Sequence, residues 1–85
     1  MDDKKIPARQ VLKAFILYVL KRSGELSVDE VYEKVEKSFP WADKESLVDG
    51  DKYDTILRNR IRYAKLDLQN EGFVYSVRWG VWAAV

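Results

Sequence analysis

Four cations stand in the eight-residue run RNRIRYAK: Arg58, Arg60, Arg62 and Lys65, with no carboxylate among them. Guanidinium and ammonium groups at that density attract phosphate, and the amide of Asn59 in their midst can pair with a base edge. The rest of the chain removes rival chemistries. Among 85 residues there is no Cys and no His. Disulfides, thiolate or imidazole metal sites and Ser-His or Cys-His nucleophiles are therefore excluded. No Glu is followed two positions later by Lys, so the E-x-K arrangement that pairs a metal carboxylate with a catalytic lysine is missing. The segment Asp49-Gly50-Asp51 lacks the alternating oxygen ligands and terminal Glu of a calcium loop. It reads instead as a turn at Asp49–Gly50. A non-catalytic binding module is expected, with no cofactor and no metal.

The elements that position the basic run follow from hydrophobic spacing. Leu12, Phe15, Ile16 and Val19 recur at helical intervals, with Val11, Ala14, Leu17 and Tyr18 widening the stripe. This predicts a first helix over 7–22, with Pro7 in its first turn and Gly24 as a left-handed cap. Ser27 and Glu30 form a capping-box pattern ahead of Val28, Val31, Tyr32, Val35 and Phe39, which predicts a second helix over 28–39. The short ELS before it can add a strand residue or two to a sheet. Pro40 ends the second helix, and the segment 40–51 is long enough to hold one helical turn near Lys44–Val48. A third helix is predicted over 54–70, with Gly72 as terminator. The tail FVYSVRWGVWAAV alternates like a strand from Phe73 to Arg78, turns at RWG and returns over Val81–Ala84. Trp82 is expected to pack on a helix and Trp41 to cover the core from the connection.

On a helical wheel, Leu57, Ile61, Ala64 and Leu68 fall within about 60° and define the buried face of the third helix. Lys65, Arg58, Gln69 and Arg62 lie about 80–140° from Leu57, with Thr55, Leu66 and Asn59 at about 160–200°. Arg60 points away, near about 300°. Residues of the stripe nearer the start of the helix, Thr55, Arg58, Asn59 and Arg62, are the expected base readers. Lys65, Gln69 and Arg78 are the expected phosphate contacts. The bland alternative is a solvated face that only keeps the protein in solution. What favours DNA is the order: three helices, the third basic, then a hairpin with Arg78 near its tip. That is the α+β, mainly helical layout of a winged helix-turn-helix. Trp79 at the tip has three open readings: stacking on a sugar or exposed base, meeting a second copy, or meeting the rest of a larger protein.

The balance of 15 Lys+Arg against 14 Asp+Glu tempers the affinity expected of one copy. A chain of this size makes one domain, and its 47% hydrophobic residues suffice for a core. No apolar run approaches the roughly 20 residues that span a bilayer. The opening shows no signal-peptide pattern and is expected to be flexible over 1–6. Together with the missing cysteine, this gives a cytoplasmic expectation, away from membranes.

Asn59-Arg60-Ile61-Arg62-Tyr63-Ala64, then Leu68, Gly72-Phe73 and Gly80-Val81-Trp82 resemble the N-terminal winged-helix domain of Mrr-type restriction endonucleases. That family carries an Asn-Arg-apolar-basic-aromatic-Ala run, a leucine, a Gly-apolar step and a basic-Gly-apolar-Trp hairpin. The resemblance implies a DNA-binding or substrate-sensing module of a restriction or defence system, fused to or associated with a nuclease domain. Tyr63 stands where tryptophan is frequent. Trp79 stands where the basic residue before the hairpin glycine is usual, with Arg78 one place earlier. Two other readings remain open. One is a small transcriptional regulator acting as a homodimer on an operator. The other is a winged-helix module that docks a protein through Trp79 and Trp41.

Overall fold

The computed structural model describes residues 5–48 and 50–85. Met1–Lys4, the start of the segment expected to be flexible, and Asp49 of the expected Asp49–Gly50 turn lie outside the described residues. The elements run α1 (Arg9–Ser23), β1 (Glu25–Ser27), α2 (Val28–Ser38), α3 (Ile56–Asn70), β2 (Val74–Arg78) and β3 (Val81–Ala84). Three helices and one antiparallel sheet in this order make the α+β winged-helix layout. No helix among the described residues is long and apolar enough to cross a membrane.

Helix α1 starts later than its spacing suggested. The Leu12 N–H donates to the Ala8 carbonyl at 3.0 Å, and Ala8 itself is extended, so Pro7 lies ahead of the helix. Gly24 closes it at φ 86°, a left-handed conformation that a Cβ disfavours, with its N–H on Leu20 O at 2.9 Å. Leu12, Ile16, Val19 and Leu20 are buried, whereas Val11, Ala14 and Tyr18 are exposed. The buried stripe is therefore rotated toward Leu20, because α1 packs on both α3 and β3.

The capping box of α2 forms in full. Ser27 Oγ accepts from Glu30 N at 3.2 Å, and Ser27 N donates to Glu30 Oε1 at 2.9 Å. The connection to α3 holds no helical turn near Lys44–Val48 among its described residues. Its backbone pairs with the approach to α3 instead: Leu47 N donates to Asp54 O at 3.0 Å, Ile56 N to Glu45 O at 2.8 Å, and Ser46 bridges Thr55. Those bonds occupy groups that a helical turn would need for itself. Trp41 does not cover the core. It stays half exposed with its ring edge-on to Phe39 at 5.9 Å, while neighbouring Ala42 is buried.

ELS contributes a full three-residue strand. The sheet order is β1-β3-β2, with Leu26 opposite Trp82 and Val74 opposite Ala84. A bulge between Ser76 and Arg78 shifts the register next to the turn at Trp79-Gly80. Leu26, Val74 and Trp82 face a core built on Leu12, Ile16, Val31, Val35, Leu57 and Ile61. Trp82 is 6% exposed, packed against this helical core as expected.

Candidate nucleic-acid interface

Helix α3 buries Leu57, Ile61, Ala64 and Leu68, the face its spacing predicted. Its polar residues divide differently from the wheel. Thr55 is the N-cap, 5% exposed, with Oγ1 accepting from Arg58 N at 3.1 Å. Its hydroxyl is spent on the helix start and does not belong to a solvent-facing stripe.

Arg58 is also turned into the fold. Nε and Nη2 reach the Glu36 carboxylate at 2.8 and 3.3 Å, and Nη1 donates to Tyr53 O at 3.0 Å. The guanidinium lies 4.9 Å from the ring centroids of both Tyr32 and Tyr53. The hydrogen bond to Glu36 holds its pKa above the ordinary value. Tyr53 in turn donates to Asp29 Oδ1 at 2.6 Å, which raises the phenol's pKa. The wheel gives Arg58 a polar sector, but α2 and Tyr53 occupy that sector.

Arg62 occupies an intermediate position. It donates to Tyr32 Oη at 3.0 Å and to Asn59 Oδ1 at 3.2 Å, and it pairs with Asp54 at 2.9 Å. Its side chain nevertheless remains 38% exposed. Lys65 joins α3 to the hairpin, donating to Gln69 Oε1 at 2.6 Å and Ser76 Oγ at 3.0 Å above the Trp82 ring. Partial burial lowers its pKa. An ammonium has three N–H donors, so one remains after these two bonds. Gln69 is exposed at the end of the same face. Arg78 pairs loosely with Glu25 at 3.4 Å and keeps a side chain 65% exposed. Trp79 is 98% exposed at the hairpin tip.

Arg60, Tyr63 and Leu66 are exposed on α3 but were not among the contacts expected from the sequence. Leu66 and Tyr63 line a shallow depression of about 210 Å³ with Asn59 and Arg62. Arg60 and Tyr63 also line a cleft against the start of α1. The exposed apolar character of Tyr63 and Leu66 was legible as a departure from a purely polar outer face. The cleft was not, since it depends on where α1 begins in space. No group of three or more His, Cys, Asp or Glu side chains able to hold a metal occurs among the described residues.

The arrangement is a helix with an amide-, arginine- and aromatic-bearing outer face, joined by Lys65 to a hairpin whose turn is tied to α2 through Val28 N on Gly80 O at 2.8 Å and whose Trp79 side chain is exposed. The family profile of the Mrr N-terminal domain matches residues 10–84, from the second residue of α1 to the last of β3. No curated protein and no solved structure matches the chain. The match takes in every element that builds the face and the hairpin, and the chain belongs to the Mrr N-terminal domain family, a restriction-associated domain distinct from the nuclease domain of such proteins.

Proposed function

We propose that this domain is a non-catalytic module that binds double-stranded DNA for a restriction system, with α3 in the major groove and the β2–β3 hairpin on flanking backbone. The observation that carries the reading is the Lys65 bridge from Gln69 on α3 to Ser76 on β2. It joins helix and hairpin into one continuous surface, which supports a duplex meeting both together. Asn59 and Arg62 are the base-reading pair, since both line the outer depression and hold each other through the 3.2 Å hydrogen bond. Lys65, with its spare donor, Gln69 and Arg78 take phosphate, and Trp79 stacks on a sugar or an exposed base. Thr55 and Arg58 build the surface without touching the duplex.

Fluorescence anisotropy of a labelled duplex at about 50 mM salt tests this, a condition where phosphate contacts are strongest. Saturable binding is expected. Arg62→Ala and Lys65→Ala should each weaken it by about tenfold, in line with about 1–3 kcal/mol for a charged contact. Undiminished binding in both variants would sink the groove assignment.

A protein-docking reading has its own support in the exposed aromatics Tyr75 and Trp79 of the hairpin and Phe73 just before it. It requires that no salt-sensitive DNA binding occur at all.

A further inference from the structure

Arg60 is the one cation of α3 that makes no hydrogen bond or ion pair with any described residue. Arg58 is held by Glu36, Arg62 by Asp54, and Lys65 by Gln69 and Ser76. Arg60 instead projects into solvent at the wall of a cleft of about 330 Å³, lined by Pro7, Arg9, Leu12, Asn59, Arg60 and Tyr63. The cleft lies between the start of α1 and α3, on the flank of α3 away from the hairpin.

Its wall is built rather than incidental. Arg9 is clamped to Asp67 through two hydrogen bonds, one of them at 2.7 Å, and its guanidinium lies 5.8 Å from the Tyr63 ring centroid. The positive charge of Arg9 is thereby matched within the protein, and its guanidinium borders the Tyr63 ring. Tyr63 is still 49% exposed. The cleft thus offers one unmatched guanidinium, the Asn59 amide and a half-open aromatic ring. A fork of N–H donors unpaired among the described residues suits a phosphate oxygen pair, and an aromatic ring beside it suits the sugar of the same nucleotide.

We infer that this cleft is a second backbone site, in which Arg60 binds a DNA phosphate and Tyr63 packs on the adjoining deoxyribose. This rests on the reading of α3 as a groove-binding helix. A helix in a major groove about 12 Å wide is bordered by two backbones. The hairpin meets one of them through Arg78 and Trp79, and Arg60 meets the other. The site adds a contact that carries no sequence preference and fixes the roll of α3 about its own axis.

The test compares wild type with Arg60→Gln and Arg60→Lys by anisotropy, across a salt series and on two duplexes of unrelated sequence. Arg60→Gln should weaken binding about three- to tenfold on both duplexes and make the slope of log K against log salt shallower by about one. Arg60→Lys should keep the slope. Thermal melts should leave all three proteins alike, because Arg60 has no hydrogen-bond or ion-pair partner among the described residues to lose. Neutral methylphosphonates placed singly along the backbone opposite the hairpin should include one position that erases the difference between wild type and Arg60→Gln. If wild type binds but Arg60→Gln keeps its full salt slope, the cleft is no phosphate site and the groove reading stands. If wild type shows no salt-dependent binding, both fall. If inorganic phosphate alone perturbs Arg60 and Tyr63 amide resonances at the concentration where the duplex does, the cleft is a general anion site and the backbone assignment fails.

Discussion

The Arg58 guanidinium spends two N–H groups on Glu36 and one on the Tyr53 carbonyl, between two tyrosine rings. Its side chain is 18% exposed and that of Glu36 19%. A pair this sheltered couples α2 to α3, and removing one partner strands the other carboxylate in a poorly solvated place. Arg58→Ala should therefore lower the unfolding free energy by about 2 kcal/mol in a urea melt. Arg58→Lys should recover only part of that, because a single ammonium cannot present the parallel donors of the fork. A loss under about 0.5 kcal/mol in the alanine variant would mean that the cluster contributes nothing measurable. Thr55 makes a parallel case on a smaller scale. Thr55→Ala should cost about 1 kcal/mol through the lost cap, and Thr55→Ser should restore most of it. For both residues, any loss of duplex binding should follow the folded fraction and vanish once that fraction is corrected for.

Between elements, two carboxylates carry an acid signature. Glu30 is held below its ordinary value of 4.5, first by the hydrogen bond from the Ser27 backbone and then by the Ser27 side chain. Asp67 is held below its ordinary value of 3.8, first by its hydrogen bond from Arg9. Both folded-state values are depressed, so their contributions are complete above the unfolded values and are lost as pH falls through the folded ones. The urea midpoint should therefore drop progressively below about pH 4.5, and the double variant Glu30→Gln, Asp67→Asn should flatten part of that drop. An identical acid limb in the double variant would remove these two groups as its cause. The capping box was legible because Ser27 and Glu30 lie three residues apart and the interaction is local. The buried face of α3 was legible for the same reason, as Leu57, Ile61, Ala64 and Leu68 keep helical spacing. What escaped depends on partners far along the chain. Asp67 meets Arg9 across 58 residues, Arg58 meets Glu36 across 22, and Ser46 bridges Thr55 with no periodic pattern to announce it. A wheel gives an angle from the core, but not which neighbouring element fills the sector at that angle.

Across the whole molecule, the formal charge of +1 conceals how the cations are used. Arg9, Lys13, Arg58, Arg62 and Arg78 each face a carboxylate of the same chain. Such pairs give little of their charge to an external phosphate unless the pair opens, and Arg58, the most sheltered arginine of them, is the least able to open. On α3 and the hairpin, the surface proposed to meet a duplex, that leaves Arg60, the spare donor of Lys65, the loosely held Arg78 and the half-free Arg62 as the cations that would release counterions. About four phosphate contacts correspond to a slope of log K against log salt near −3.6, and one copy should then bind weakly at physiological salt. A tandem fusion of two copies through a flexible linker separates this weakness from a lack of binding, because the second contact becomes intramolecular. The fusion should bind a long duplex at least about a hundredfold more tightly than one copy, with a slope approaching twice the single value. If the fusion gains affinity without steepening the slope, the second copy is held by something other than phosphate, and the exposed aromatics of the hairpin become the surface to test. If it gains neither, the cations of α3 and the hairpin face only water.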